Sequence, residues 1–157
     1  MKSKIYVETT VVSYLTARPS RDLIVAAHQE LTREWWETRG GEFDLYGSQL
    51  VIREASAGDE DAAARRREIL HPLPLLEINE TATRLARMLV EEAAIPRTSP
   101  EDALHIALAT VHGMDYMLTW NCKHIANAEI RNAVTATCRS RGYEPPVICT
   151  PEELMGA

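Results

Sequence analysis

The chain has 157 residues, of which 45% are hydrophobic and 25% are charged, and its formal net charge is −6. This length and composition predict one soluble globular domain over 1–157 and exclude a disordered or fibrous protein. The acidic balance argues against a general basic surface for nucleic acid, because nonspecific affinity depends mainly on Lys and Arg. Any contact with nucleic acid is therefore expected to be local.

The cysteines and the apolar runs indicate a cytoplasmic protein. Cys122, Cys138 and Cys149 form no C-x-x-C pair and are odd in number, which favours neither a disulfide framework nor a thiolate zinc site. The apolar run LIVAA at 23–27 is too short to span a bilayer, and the N-terminus has no export signal. We expect no association with a membrane.

The first half of the chain alternates apolar segments with helical patterns. KIYV at 4–7 predicts a buried strand, because it is β-branched and aromatic, and the hydroxyls of the following ETT suit a helix cap. Helices are expected in TVVSYLTA and LIVAAHQELTREWWETR, with an interruption at PSRD (19–22) and a stop at the Gly pair 40–41. FDLYGS at 43–48 predicts a second strand, and SQLVIREASAG a helix before Gly58.

The second half continues the alternation. Asp59 is expected to cap the helix EDAAARRREIL, PLPLLEI predicts a short strand, and Asn79 is expected to cap the helix TATRLARMLVEEAAI. Pro100 begins the helix EDALHIALATVHG, which is followed by the strand DYMLTW, the helix NAEIRNAVTATCRSRG and the strand PPVICT. This order predicts an α/β fold, a three-layer α/β/α sandwich around a mainly parallel sheet.

Several carboxylate and amide side chains fall where the predicted strands end. Glu8 follows the first strand directly, and Asn121 follows the strand YMLTW directly. Asp102 lies in the first turn of the helix before that strand, and Glu54 lies on the helix after FDLYGS. In an open parallel α/β sheet the functional crevice lies beyond the carboxyl ends of the strands. A hard cation such as Mg²⁺ or Mn²⁺ takes oxygen ligands and would compensate the charge of Glu8.

Four segments in order resemble the motifs of the PIN domain family, the metal-dependent ribonuclease fold of VapC-type toxins in bacterial toxin–antitoxin systems. IYVETTVVSYL resembles the opening strand with the first acidic ligand, LVIREASAG the second ligand segment, PEDALHIALA the third and YMLTWNCKHIAN the fourth. The resemblance covers nearly the whole chain. It assigns the metal site and the catalytic site to Glu8, Glu54, Asp102 and Asn121. The family usually has Asp at the first position and often has Asp at the fourth.

The resemblance implies a Mg²⁺- or Mn²⁺-dependent endoribonuclease that hydrolyses RNA phosphodiester bonds as the toxin of a type II toxin–antitoxin system. It further implies a homodimer and inhibition by a cognate antitoxin. Metal-bound water would attack the phosphate, so that no protein nucleophile is required. The candidate substrate contacts are Thr9, Thr119, Lys123 and His124, the last two in the loop after Asn121.

Each of the four candidate metal ligands also has a purely structural interpretation. Glu8 can be an exposed carboxylate favoured by a helix N-terminus, and Glu54 can be a solvated helix residue. The S-x-x-D pattern ending at Asp102 matches a capping box, and Asn121 can stabilise a turn. His105, three residues after Asp102, is interpreted as a packed, hydrogen-bonded histidine rather than a functional one.

Two other functions remain open. The main alternative is a catalytically weak or inactive PIN-like domain that binds RNA or a protein, which the departures at Glu8 and Asn121 motivate. A small-molecule phosphoesterase with the same metal cluster is the third hypothesis. The sequence has no Gly-rich phosphate loop, which excludes nucleotide kinases and dinucleotide-binding proteins.

Overall fold

The computed structural model describes residues 1–93 and 95–157. Within them, five strands form one sheet in the order β3-β2-β1-β4-β5, and every neighbouring pair is parallel. The strands are β1 (Lys4–Val7), β2 (Asp44–Ser48), β3 (Leu75–Leu76), β4 (Tyr116–Leu118) and β5 (Val147–Cys149). The predicted α/β class and the parallel sheet are confirmed.

Seven helices in the described residues follow the predicted order. They are α1 (Thr9–Thr16), α2 (Leu23–Thr38), α3 (Gln49–Ala55), α4 (Glu60–Leu70), α5 (Glu80–Glu92), α6 (Pro100–Val111) and α7 (Ala128–Ser140), with a 3₁₀ turn at Gly40–Glu42. The helix predicted to run through 95 ends at Glu92, and its residue Ala94 lies outside the described residues. None of the described helices is long and apolar enough to cross a membrane.

The strand predicted in PLPLLEI is shorter than expected. Only Leu75 and Leu76 pair with β2, at the edge of the sheet. Proline has no N–H group to donate to a ladder, so Pro72 and Pro74 limit the strand on its N-terminal side. The carbonyl of Pro74 still accepts a hydrogen bond from Gly47 N at 2.9 Å.

Six of the seven helices begin at a side chain that accepts a hydrogen bond from a backbone N–H group of the first turn. These caps are Glu8, Asp22, Ser48, Asp59, Asn79 and Asn127. The caps predicted at Asp59 and Asn79 are confirmed. Helix α6 differs, because it begins at Pro100 and the Ser99 side chain makes no capping hydrogen bond. The capping box predicted as an alternative role for Asp102 does not form.

The helices cover both faces of the sheet. Helices α1 to α4 lie in the connections from β1 to β2 and from β2 to β3, and the right-handed crossover rule places them on one face. The later connections run across the sheet in the opposite direction, which places α5 to α7 on the other face. The packing agrees, since α1 contacts α2, α3 and α4, whereas α5 contacts α6 and α7. The three-layer prediction is therefore confirmed.

The central strand β1 lies in the middle of the core. Ile5, Tyr6 and Val7 are fully buried, as expected for a parallel strand covered on both faces. The phenol hydroxyl of Tyr6 therefore needs a polar partner inside the protein.

The direction of the chain across the sheet reverses between β1 and β4. Strand β1 leads towards β2 on one side, and β4 leads towards β5 on the other. Ligands of α/β proteins bind in the crevice at such a switch point, beyond the carboxyl ends of the strands. Glu8 N donates to the carbonyl oxygen of Leu118 at 3.0 Å, so both strands end at the same level. Glu8 and Thr119 are thus the first residues that reach the crevice.

Candidate metal centre

Glu8 is a buried carboxylate at the end of β1. Its side chain is only 3% exposed, although it also caps α1 through the backbone N–H of Thr10 at 3.2 Å. Two hydroxyl groups, those of Thr10 and Thr119, donate to Glu8 Oε1, the second at 2.6 Å. Glu8 therefore lies at the N-terminus of a helix, as its structural interpretation expects, but it is buried and not exposed.

The hydrogen bonds to Glu8 leave its charge without a cation. Among the described residues, no Lys or Arg forms an ion pair with Glu8, Glu54 or Asp102. Hydroxyl and amide donors stabilise a carboxylate, but a buried charge without a counter-ion remains costly. The position of Glu8 is thus chemically suited to a cation.

Glu54 lies on α3 and faces the same crevice. Its side chain is 31% exposed, and Oε1 accepts from the Thr9 hydroxyl at 2.6 Å and lies 2.6 Å from His105 Nε2. Burial raises the pKa of Glu54, but the hydrogen bonds to His105 and to the Thr9 hydroxyl outweigh it, so the pKa is below its ordinary value. Glu54 is therefore held as a carboxylate.

His105 joins Glu54 to the interior of the protein. It is 1% exposed on α6, and its Nδ1 atom lies 2.6 Å from the hydroxyl of Tyr6. That hydroxyl lies 2.9 Å from Ser48 Oγ. Burial raises the pKa of Tyr6 far above its ordinary value, in spite of the hydrogen bond to Ser48, and the charges of Glu8 and Glu54 raise it further. Tyr6 is therefore a neutral phenol.

The side chains of Glu8, Glu54 and His105 form a group that fits a metal ion. Each offers one ligand atom, and these atoms all lie within 4.8 Å of one another. The carboxylate oxygens suit Mg²⁺ or Mn²⁺, which prefer oxygen ligands. The prediction that His105 is packed and hydrogen-bonded is confirmed. The sequence did not predict that its partner is Glu54, because a single histidine in the apolar stretch ALHIALA gives little sign of such a contact.

Asp102 and Asn121 form a second group with His124. Asn121 Nδ2 donates to Asp102 Oδ1 at 3.0 Å, and His124 Nδ1 lies 2.8 Å from Asp102 Oδ2. The backbone N–H of His124 donates to Asn121 Oδ1 at 3.0 Å. The Asp102 side chain is 17% exposed and is not a member of the group whose atoms lie within 4.8 Å. The structure therefore divides the four predicted ligands between two groups.

Thr119 connects the two groups. Its hydroxyl donates to Glu8 Oε1 and accepts from the backbone N–H of Asn121 at 2.9 Å. A parallel link runs through Thr10, whose hydroxyl contacts Glu8 and accepts from the backbone N–H of Trp120 at 2.8 Å. Glu8 and the second group therefore lie in one hydrogen-bond network at the carboxyl ends of β1 and β4, whereas Glu54 and His105 lie beside Glu8 without a hydrogen bond to it.

Comparison with known proteins addresses the fold. No family model matches the sequence, and no curated protein matches it significantly. Among solved structures, VapC20 of Mycobacterium tuberculosis, a toxin that cleaves the sarcin–ricin loop, aligns with a TM-score of 0.60 and 14% identity over 76% of this chain and 92% of that chain. A chain of VapBC2 from Rickettsia felis, bound to a DNA fragment from its promoter, aligns with a TM-score of 0.57 and 11% identity over 94% of this chain and 98% of that chain.

The protein has a VapC-like PIN fold. The resemblance found in the four sequence segments is therefore confirmed at the level of the fold. At these identities the comparison carries no residue of the site from one protein to the other. The PIN fold explains why the ends of β1 and β4 meet, and the contacts above come from this chain alone.

The four predicted substrate contacts occupy different positions in this PIN fold. Thr9 and Thr119 donate to the carboxylates of Glu54 and Glu8, and His124 contacts Asp102. The Lys123 side chain is exposed in the loop after Asn121. Substrate contact by these residues stays a prediction.

Proposed function

We propose that the protein is a Mg²⁺- or Mn²⁺-dependent endoribonuclease that hydrolyses RNA phosphodiester bonds. The observation that carries this proposal is that carboxylate oxygens of Glu8 and Glu54 lie within 4.8 Å of each other at the switch point of a VapC-like PIN fold. Asp102 and Asn121, joined to Glu8 through Thr119, complete the proposed site.

The carboxylates retain oxygen atoms with which to hold an ion. Thr9 and His105 both contact Glu54 through Oε1, so that Glu54 Oε2 has no hydrogen-bond partner among the described residues. Glu8 Oε2 accepts only from Thr10 N, and each oxygen of Asp102 has one partner. A carboxylate oxygen has two lone pairs, so these atoms can still act as ligands. A bound divalent ion supplies an activated water and stabilises charge at the phosphate.

The proposed biological role is the toxin of a type II toxin–antitoxin system. Its support is the similarity in fold to VapC20, described as a toxin, and to a chain of the VapBC2 complex. We extend the proposal to a cytoplasmic homodimer of a single PIN-like domain over 1–157 that is inhibited by a cognate antitoxin and acts on RNA.

The decisive experiment is cleavage of mixed RNAs by the purified protein with Mn²⁺ or Mg²⁺ and then with EDTA. We expect cleavage that stops on chelation and is lost in Glu54→Gln, which keeps the shape of the side chain but removes its charge. His112→Gln, at the far end of α6, is the matched control and should cleave like the wild-type protein. Cleavage that persists in EDTA, or in Glu54→Gln, would show a contaminating or metal-independent activity.

A second candidate is a PIN-like domain that binds RNA or a protein without cutting. One observation favours it: the carboxylates of Glu8 and Asp102 already accept hydrogen bonds from neighbouring side chains. Glu8→Asp combined with Asn121→Asp restores the residues usual in the family. An increase in Mn²⁺-dependent cleavage supports a weak nuclease, whereas RNA affinity that is indifferent to EDTA, without cleavage, supports the binding domain.

A further inference from the structure

A buried chain of hydrogen-bonding groups leads from the core to Glu54. Ser48 Oγ lies 2.9 Å from the Tyr6 hydroxyl, which lies 2.6 Å from His105 Nδ1, and His105 Nε2 lies 2.6 Å from Glu54 Oε1. Ser48 and Tyr6 are fully buried and His105 is 1% exposed, so no bulk water competes for these contacts. The four residues belong to four different elements, β2, β1, α6 and α3.

The available protons determine which group donates and which accepts at each step of this series of hydrogen bonds. Ser48 Oγ accepts from the backbone N–H of Val51 at 3.0 Å, and among the described residues its own proton has one neighbouring acceptor, the Tyr6 oxygen. When Ser48 donates to Tyr6, the phenol proton is directed to His105 Nδ1. The proton of a neutral imidazole is then on Nε2, from which it is donated to Glu54. Every donor in this direction has an acceptor.

The opposite direction leaves groups unsatisfied. If His105 Nδ1 donated to Tyr6, the phenol would donate to Ser48, and the Ser48 proton would have no acceptor in a fully buried position. If Nε2 also lacked a proton, its lone pair would face a carboxylate oxygen at 2.6 Å. The geometry therefore favours an N–H group at Nε2.

We propose that His105 is a positioning residue, whose Nε2–H group holds Glu54 Oε1 and leaves Glu54 Oε2 available to a divalent ion, and that His105 is not itself a metal ligand. The proposal rests on the proposed function in so far as Glu54 is a ligand. It assigns a role to the Tyr6 and Ser48 hydroxyls as well, because they fix the orientation of the imidazole. Carboxylates that bind metal ions are themselves commonly held by such outer hydrogen bonds.

The first test observes the proton itself by NMR of ¹⁵N-histidine-labelled wild-type protein. The chain has five histidines, and His105→Gln identifies the signal of His105. We expect a protonated Nε2 without metal and also after saturation with Mg²⁺. An unprotonated Nε2 in the metal-free protein, or loss of its proton on Mg²⁺ binding, overturns the proposal. If Mg²⁺ shifts no signal, the protein does not bind the ion and the proposed metal-dependent function is contradicted. The metal-free spectrum still shows which nitrogen of His105 carries the proton.

The second test measures Mn²⁺ affinity by calorimetry. His105→Leu removes the donor to Glu54, and we expect affinity to fall about 10–100-fold. His105→Gln keeps an N–H donor and should recover most of that loss, and Tyr6→Phe should reduce affinity less than His105→Leu. An unchanged affinity in His105→Leu, or an equal loss in the Leu and Gln variants, contradicts the positioning role.

Two controls separate this role from simple damage to the fold. His112→Leu changes a histidine at the end of the same helix, whose imidazole contacts the Glu77 carbonyl, and should leave Mn²⁺ affinity unchanged. Thermal unfolding of each variant checks that it is folded, and the wild-type spectrum remains decisive if His105→Leu is not. Mn²⁺ binding without RNA cleavage would contradict the nuclease and leave the assignment of His105 standing.

Discussion

The hydroxyl of Thr119 donates a hydrogen bond of 2.6 Å to Glu8 Oε1, although the two residues are 111 positions apart in the chain. Each is the first residue after a neighbouring parallel strand, so the pairing of β1 with β4 places them side by side. The same hydroxyl accepts from Asn121 N and thereby connects Glu8 to the group of Asp102, Asn121 and His124. A single side chain thus links the end of the central strand to the loop that contains Asn121 and His124.

Replacing Thr119 with Val should destabilise the metal-free protein. Val has nearly the shape of Thr but no hydroxyl, so the buried Glu8 carboxylate loses one hydrogen-bond donor. A hydrogen bond to a charged group contributes about 1.5–3 kcal/mol. We expect a decrease of that size in the free energy of unfolding, measured with urea in the presence of EDTA. Thr119→Ser retains the hydroxyl and should stay close to wild type, and a Val variant as stable as wild type would contradict the importance of this bond.

Divalent ions should stabilise the folded protein. A ligand that binds only the native state at 100 times its dissociation constant contributes about 2.7 kcal/mol. For a chain of this size that corresponds to a rise in Tm of roughly 5–10 °C. We expect this rise with Mn²⁺ in differential scanning calorimetry, its reversal by EDTA, and its loss in Glu54→Gln. A Tm that is equal with Mn²⁺ and with EDTA argues against the metal centre.

The stability contribution of Glu54 should disappear in acid. Because the pKa of Glu54 in the folded protein is lower than its ordinary value of 4.5, the folded state favours the carboxylate. This contribution is fully present above the unfolded pKa and is lost as pH falls through the folded pKa. The difference in unfolding free energy between wild type and Glu54→Gln should therefore be constant near neutral pH and decrease below about pH 5.

The measurement is urea unfolding at a series of pH values in EDTA, so that metal binding does not contribute. Glu101→Gln, which removes an exposed negative charge in the first turn of α6, is the matched control. A difference between wild type and Glu54→Gln that grows as the solution becomes more acidic is the opposite of the expected sign.

The three thiols should differ in reactivity. Burial raises the pKa of all three thiols, that of Cys149 to about 12, but Cys122 is exposed whereas Cys138 and Cys149 are buried. Because the thiolate is the reactive form and must also be accessible, we expect one thiol per chain to react with Ellman's reagent in the native protein and three in denaturant. Cys122→Ser should abolish the native reaction. Rapid reaction of two or three thiols in the native state is inconsistent with this packing.

Local patterns in the sequence were sufficient to predict the order and type of the elements. The caps at Asp59 and Asn79, and the stop after α2 at the Gly pair 40–41, depend on residues within one helical turn of the boundary. The prediction was less accurate for β3, where two prolines and an edge position limit pairing. The role of Asp102 was ambiguous, because the S-x-x-D pattern is compatible with a capping box that the folded protein does not form.

The sequence by itself determined the alternation of strands and helices, and with it the placement of carboxylates after strands, because these features depend on periodicity and on near neighbours. Only the tertiary structure decided which donors meet which carboxylates. His105 contacts Tyr6 and Glu54, which are 99 and 51 residues away in the chain. Such contacts arise from the strand order and from the packing of α3 against β2 and of α6 against β4. No local pattern encodes the distance between side chains that only folding brings together.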